Sequence, residues 1–266
     1  MPRISIGSFH LSYRDEGRGD PILFIPGLIG LMDAWDFQAP HFAQRYRCLR
    51  FDHRGSGESD RAPDGRYSTK LIAEDVVRLL DALQIERAYA VGASTGGCIL
   101  QNLALDHPQR LRACVFTNTW TTADEYIRRL QTARMRILQS HGPEEYIKFS
   151  SLWTAGPGQF RNMFGKLLEL EERQRRTLAP VDILVARIQM TLDHDRSAEL
   201  ARIDRPALVI GANDDAVTPV YFAHDLHAAI RGSRLHVLEG GGHNAYRQRP
   251  AEWNAVVEAF LKEVAA

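Results

Sequence analysis

The sequence predicts a protein of the α/β class, with a mostly parallel, doubly wound sheet and an inserted helical cap. Short apolar segments of strand length alternate with amphipathic helical segments along most of the chain, as is typical of a parallel sheet covered on both faces. The alternation stops between residues 120 and 201, where the pattern is helical throughout. A length of 266 residues suits one domain with one insertion.

Each element can be placed in order along the chain. Residues 3–14 alternate polar and apolar side chains and predict two strands joined at Gly7 and Ser8. Continuous apolar runs predict six further strands, at 22–25, 48–51, 88–91, 113–117, 207–210 and 235–238. Amphipathic spacing predicts helices at 34–44, 69–83, 95–106, 220–230 and 251–264.

Residues 120–201 are expected to form the cap. Turn signals at 141–143, 156–158 and 179–180 divide this segment into about four helices. The core would then consist of residues 1–119 and 202–266. The cap would cover the carboxyl edge of the sheet, where open α/β sheets bind their ligands.

The composition argues against several classes of partner. Lys plus Arg (33) equals Asp plus Glu (33), so no basic excess is available for nucleic acid or an anionic membrane surface. Cys48, Cys98 and Cys114 lie among apolar neighbours and fit no disulfide framework or metal spacing, so reduced, buried thiols are expected. The N-terminal segment lacks the apolar core of a signal peptide, and the most apolar stretch, 21–32, is too short to span a bilayer. A cytoplasmic location is expected.

The sharpest chemical signal is the sequence Gly-Ala-Ser-Thr-Gly at residues 92–96. It follows a predicted strand and opens a predicted helix. Side chains two residues before and after the serine would crowd each other, and glycine stands at both positions. Such a turn lifts the Ser94 hydroxyl above the sheet edge, at the positive end of the next helix. A purely structural glycine-rich turn is the alternative, but the strand and helix around it favour a nucleophile.

A nucleophilic serine needs a base and an acid that orients the base. Among 10 histidines, His243 directly follows three glycines, 240–242, after the last predicted strand. This exit allows a sharp turn that brings the imidazole over the sheet edge. The preceding strand is followed by two adjacent carboxylates, Asp214 and Asp215. Neighbouring residues at a strand end point in opposite directions, so one can accept from the imidazole while the other caps a turn.

The order serine, carboxylate, histidine over essentially the whole chain resembles the α/β-hydrolase fold superfamily. Residues 24–28 resemble its oxyanion loop, and residues 52–59 its strand-end turn. Close relatives place the acid four residues before a proline, here Pro219, which selects Asp215 and leaves Asp214 as the alternative.

The resemblance also implies an oxyanion hole made by the backbone amides of Leu28 and Thr95. Many relatives carry histidine where this chain has Pro26 and Ala93. Neither departure removes a catalytic atom, because the oxyanion donors are backbone groups. Ser94 argues against the haloalkane dehalogenase and epoxide hydrolase branches, which place a carboxylate at this position.

Within the superfamily, residues 116–120 and 142–146 resemble the carbamate (aminoacrylate) hydrolases of pyrimidine utilisation. Similar features occur in the 3-oxoadipate enol-lactonases. This resemblance implies a serine hydrolase that cleaves a small ester, lactone or carbamate/amide-like acyl bond through an acyl-enzyme at Ser94. A C–C bond hydrolase or cofactor-free perhydrolase would use the same triad with a different pocket. A weakly hydrolytic ligand receptor on this scaffold is the third hypothesis.

Other residues allow two interpretations. Trp120 and Trp153 are candidates for the substrate pocket, with the cap's own core as the alternative. The arginines of the first cap helix (Arg128, Arg129, Arg134 and Arg136) are interpreted as a solvated face rather than a site for a substrate carboxylate. The segment 193–195 lacks further ligands for a metal, and no dinucleotide or Walker motif is present, so no metal and no cofactor are expected. A small-molecule substrate is the expected partner, and the oligomeric state does not follow from the sequence.

Overall fold

One sheet of eight strands organises the part of the chain that the computed structural model describes, residues 2–62 and 64–265. Its spatial order is β1-β2-β4-β3-β5-β6-β7-β8. β2 pairs antiparallel with β1 and β4, and the other neighbours are parallel. The predicted mostly parallel α/β sheet is therefore confirmed. The strands are β1 (Arg3–Ser5), β2 (His10–Gly17), β3 (Pro21–Ile25), β4 (Arg47–Phe51), β5 (Ala88–Ala93), β6 (Leu111–Thr117), β7 (Ala207–Ala212) and β8 (Arg234–Leu238).

Helices cover both faces of this sheet. In the described residues they are α1 (Ala39–Phe42), α2 (Thr69–Ala82), α3 (Thr95–Asp106), α4 (Glu125–Ala155), α5 (Pro157–Thr177), α6 (Val181–Leu192), α7 (Tyr221–Ala229), α8 (Ala245–Gln248) and α9 (Pro250–Ala265). The helix predicted over 34–44 is wrong as a continuous element. A 3₁₀ turn, Met32–Trp35, precedes a single α-helical turn that begins at Ala39. Pro40 lies in the first turn of this helix, where its missing N–H is tolerated, and this explains why the helix begins at Ala39.

The sheet separates two hydrophobic layers. Leu23 and Ile25 of β3 pack into the layer formed with α2, α3 and α7, whereas Ile22 and Phe24 pack into the layer formed with α1 and α9. This alternation follows the two-residue period of a strand. Both faces are thus buried, which explains why the central strands are apolar at every position.

Three α-helices, α4, α5 and α6, lie between β6 and β7. Gly142, with φ 82°, interrupts α4 at a turn signal in the sequence, and Gly156, with φ 76°, separates α4 from α5. α4 packs against α5 and α6. A cluster from α4 and α6 also packs against Leu28, after β3; its other buried members are Leu138, Tyr146, Ile147, Leu184 and Ile188. The inserted helices therefore contact the loop that follows β3.

In the described part of the chain, none of the helices combines the length and the apolar character needed to cross a membrane.

Candidate active site

Ser94 occupies the turn between β5 and α3 in a conformation that serine rarely adopts. Its φ is 54° and its ψ −123°. A Cβ at Gly92 would lie within 3.0 Å of the Gly96 backbone, and a Cβ at Gly96 would lie within 3.0 Å of the Ile25 carbonyl oxygen. Glycine is therefore required at both positions, because the opposing atoms are backbone and cannot move independently. The surrounding structure holds Ser94 in strained geometry, as is frequent at functional sites.

The loop after β3 lies directly beside this turn. A Cβ on Gly27 would be 3.4 Å from Ser94 Cβ and 3.9 Å from Ser94 Oγ. The Gly30 N–H donates to the Gly27 carbonyl oxygen (2.9 Å), which closes a tight turn around Leu28. Thr95 is the first residue of α3, so its amide is among the four that an α-helix leaves without an intrahelical acceptor. The amides of Leu28 and Thr95 thus belong to the two backbone segments that meet at Ser94.

His243 and Asp215 form a buried pair. His243 Nδ1 lies 2.9 Å from Asp215 Oδ2 and 3.2 Å from Oδ1. The backbone N–H groups of Val217 and Thr218 donate to Oδ1 at 2.8 and 2.9 Å. Burial raises the pKa of Asp215, but the charge of His243 and hydrogen bonds from His243 and Thr218 outweigh burial and hold this pKa below its usual value. Asp215 is therefore an ionised acceptor for the imidazole.

Asp214 contacts the glycine loop that carries His243. Its Oδ1 accepts from the Gly242 N–H at 2.8 Å, and its Oδ2 accepts from the Gly241 N–H at 3.2 Å. Of the two carboxylates that the sequence left as alternatives, the structure brings Asp215 to His243 and directs Asp214 to the loop backbone.

Two residues that the sequence analysis missed also hold the carboxylate. Thr218 Oγ1 and Asn118 Nδ2 donate to Asp215 Oδ2 at 2.6 and 2.8 Å. Asn118 has φ 48° and follows β6, the neighbour of β7, so it lies at the same sheet edge as the acid. A polar residue that tolerates left-handed backbone, directly after a central strand, is the signal that could have identified it.

A cavity of about 240 Å³ brings these segments together. Ser94, His243, Gly27 and Leu28 line it, and α4 and α5 form the opposite wall. Neither tryptophan candidate is among its lining residues. Trp120 is 1% exposed and packs in a cluster with Cys98, Ala123, Ile127 and Phe222. Trp153 packs beside Phe149, with ring centroids 6.1 Å apart. Trp120 therefore packs between the start of the inserted segment and helices α3 and α7, rather than within the cap alone.

A buried arginine of α6 contacts the loop that follows β3. Arg187 Nη1 donates to the Ile29 carbonyl oxygen (3.0 Å) and to Ser56 Oγ, and Nη2 lies 2.8 Å from His53 Nδ1. Burial and the Arg187 charge lower the pKa of His53 well below its usual value, so neutral His53 can accept this hydrogen bond. A Cβ at Gly30 would clash with the guanidinium. α6 therefore fixes the turn that contains Leu28.

The other candidates for chemistry are structural. His194 is 4% exposed and bonds to Thr69 Oγ1 and Gln101 Oε1, each at 3.0 Å. Within residues 2–62 and 64–265, no group of three or more His, Cys, Asp or Glu side chains is arranged to hold a metal ion. The three cysteines are free and buried, and burial raises each thiol pKa to about 12. Such thiols are poor nucleophiles.

The sheet order, the serine turn after β5 and the buried carboxylate–imidazole pair after β7 and β8 define an α/β-hydrolase. The family model described as alpha/beta hydrolase fold matches residues 20–250, and the chain belongs to this family.

Individual relatives match the chain over nearly its whole length. A curated protein of Azorhizobium caulinodans named "Putative carbamate hydrolase RutD" is 32% identical over 264 residues, 99% of each chain. A solved hydrolase from Pseudomonas aeruginosa is 30% identical with TM-score 0.85, covering 97% of each chain. The enol-lactonase from Burkholderia xenovorans shares the fold at 24% identity, with TM-score 0.90 over 98% of this chain and 100% of its own. The resemblance that the sequence predicted is thus confirmed, and the family together with the name of the curated relative supports a hydrolase that acts on acyl bonds.

Proposed function

We propose that this protein is a serine hydrolase that cleaves a small ester, lactone or carbamate/amide-like acyl bond through an acyl-enzyme on Ser94. One observation carries the proposal. His243, which lies 2.9 Å from the buried Asp215 carboxylate, lines the same cavity as Ser94, and Ser94 occupies a strained strand-to-helix turn. The name of the RutD relative supports including carbamates among the substrates.

The proposed reaction has two halves. His243 Nε2 accepts the Ser94 proton while Oγ attacks the carbonyl carbon, and the imidazolium then gives that proton to the leaving group as the acyl-enzyme forms. A water molecule next gives a proton to Nε2 and attacks the acyl carbon, and the proton returns to Ser94 Oγ. Asp215 acts throughout by accepting from Nδ1, which leaves Nε2 free as the base.

The backbone amides of Leu28 and Thr95 are the proposed oxyanion hole. The close approach of Gly27 to Ser94 supports Leu28, and the position of Thr95 at the start of α3 adds the positive end of a helix. Such a donor contributes roughly 3–4 kcal/mol when it points to the site of the developing charge.

We further propose that residues 120–201 act as the cap, with α4 and α5 closing the cavity over Ser94. Excluding water would strengthen the polar contacts of the reaction. A cavity of about 240 Å³ is smaller than the roughly 300–1,000 Å³ of sites for drug-sized ligands, which supports a small substrate.

The test combines labelling and turnover. Purified protein is treated with a fluorophosphonate, and activity is measured on short-acyl esters, lactones and carbamates. We expect a single adduct on Ser94, steady turnover, and a loss of about 10⁴-fold or more in the Ser94→Ala variant. Ser151→Ala, another serine of the same cavity, is the matched control and should keep both properties.

Three results would contradict the proposal. Full activity of Ser94→Ala would exclude Ser94 as the nucleophile. A stoichiometric burst without steady turnover would instead favour a receptor on this scaffold. Cleavage of a dienoate C–C bond in preference to phenyl acetate would favour the C–C hydrolase alternative.

A further inference from the structure

The cavity also contains a buried arginine that the proposed mechanism does not use. Arg134 of α4 is 6% exposed and lines the cavity. The expectation of a solvated basic face is wrong for this residue, although Arg128, Arg129 and Arg136 are exposed as expected. Arg134 lies at helical spacing from Ile127, Gln131 and Leu138, all of them buried, so it shares the inward face of α4.

In the described part of the chain, the groups that accept hydrogen bonds from this guanidinium are all neutral. Nε donates to Ser150 Oγ (3.1 Å), Nη1 to Gln131 Oε1 (3.1 Å) and Nη2 to Tyr146 OH (2.9 Å). The group also lies over the Tyr146 ring, 5.3 Å from its centroid. Among the described residues, no carboxylate oxygen comes within 4.0 Å of Arg134. A buried charge without a counter-ion is costly, and Arg134, unlike the buried Arg187, lines a cavity that an anion can enter.

The charges around the cavity do not supply that anion. Arg173 is paired with Asp33, and Arg247 lies over the Phe37 ring. Glu171 lines the same cavity, but it accepts a hydrogen bond from Ser151 and forms no ion pair with Arg134. Counted over the described residues, the lining comprises three arginines and two carboxylates, an excess of one positive charge.

We propose that Arg134 binds a carboxylate of the substrate, so that the preferred substrates are small acyl compounds that carry a carboxylate besides the scissile bond. This inference takes from the proposed function only the assumption that an acyl bond of the substrate is cleaved. A guanidinium has five N–H donors; three are used here, which leaves one on each terminal nitrogen. These two can donate side by side to the two oxygens of a carboxylate. Ser150, Gln131 and Tyr146 fix the guanidinium plane beforehand.

The first test compares two esters that differ in one charge, monomethyl succinate and dimethyl succinate. We expect the wild-type protein to prefer the hemi-ester in kcat/KM. Arg134→Met should lower this preference by about 100-fold, since a buried charge partner is lost, and Arg134→Lys should restore part of it. Arg136→Met, an exposed arginine on the same helix, is the matched control and should keep the wild-type preference. An unchanged preference in Arg134→Met would overturn the proposal.

The second test measures binding without turnover. Succinate should raise the melting temperature of the Ser94→Ala protein and of Ser94→Ala with Arg136→Met, but not that of Ser94→Ala with Arg134→Met. The methionine variant removes a buried charge but also three hydrogen bonds to buried groups, so the shift that succinate causes is measured against the melting temperature of each variant without ligand. Stabilisation that persists without Arg134 would overturn the carboxylate site.

The two proposals fail in different ways. Arg134-dependent succinate binding without Ser94-dependent turnover would contradict the hydrolase and support the carboxylate site. Ser94-dependent turnover without dependence on Arg134 would do the reverse.

Discussion

Replacing Asp215 by asparagine exchanges one carboxylate oxygen for an NH₂ group, and the structure shows which hydrogen bonds this exchange affects. Asp215 Oδ2 accepts from three donors, Asn118 Nδ2 (2.8 Å), Thr218 Oγ1 (2.6 Å) and His243 Nδ1 (2.9 Å). The asparagine oxygen would stay at the Oδ1 position, because the amides of Val217 and Thr218 donate there. Its NH₂ group would then face the three donors.

The consequence for His243 sets the size of the effect. An NH₂ group opposite Nδ1 favours the tautomer in which Nδ1 accepts and Nε2 carries the proton. Nε2 can then no longer take the Ser94 proton. The same substitution in a serine protease triad lowers kcat by about 10⁴-fold, which corresponds to about 5 kcal/mol at the transition state. We expect a loss of this order for Asp215→Asn.

Asp214→Asn is the matched control, since it makes the same charge change at the adjacent residue. Its remaining oxygen can still accept from the Gly242 amide, which now bonds at 2.8 Å, so a loss below about 10-fold is expected. Both variants are assayed for kcat on a short-chain ester, with thermal unfolding to establish that each is folded. The reasoning would be refuted if Asp215→Asn kept more than a tenth of wild-type kcat, or if Asp214→Asn lost as much.

Three further predictions concern the elements around the site. Arg187→Met removes the donor to the Ile29 carbonyl oxygen and should lower kcat about 10- to 100-fold through the oxyanion turn, with a smaller change in KM; steady-state kinetics that show a KM effect alone would contradict it. Gly96→Ala places a Cβ within 3.0 Å of backbone oxygen atoms and should lower the free energy of unfolding in urea by about 2–3 kcal/mol, whereas Gly158→Ala, with open space around it, should not. Burial raises the pKa of Asp52 from 3.8 to about 6, so the native state holds this proton more tightly than the unfolded state. The contribution of Asp52 to the free energy of unfolding is therefore greatest below pH ~4. It falls by about 3 kcal/mol as the pH rises through 6, because each pKa unit corresponds to about 1.4 kcal/mol. Asp52→Asn should abolish this component, so that the difference in unfolding free energy between the two proteins changes between pH 4 and 7; a pH-independent difference would contradict it.

Local patterns were enough to predict much of the architecture. The runs at 22–25, 48–51 and 207–210 are strands because continuous apolar residues suit a sheet buried on both faces, and this needs no knowledge of distant contacts. The turn at Ser94 was predictable from its own sequence, since a Cβ at Gly92 would conflict with the backbone of Gly96, four residues on, whereas the requirement for glycine at 96 also involves the distant Ile25 carbonyl oxygen.

The roles of individual site residues depended on the direction of their side chains, which local patterns do not give. Asp214 and Asp215 are adjacent and chemically identical, and only the distance to His243 distinguishes them. Trp120 packs inward and Arg134 lies in the cavity, although pattern and composition favoured the reverse for Arg134. Such positions depend on partners far along the chain, as Arg187 does on Ile29. A sequence therefore determines which segments become strands, helices and tight turns through short-range sterics and periodicity, whereas the meeting of a charge with its partner depends on how those segments pack in three dimensions.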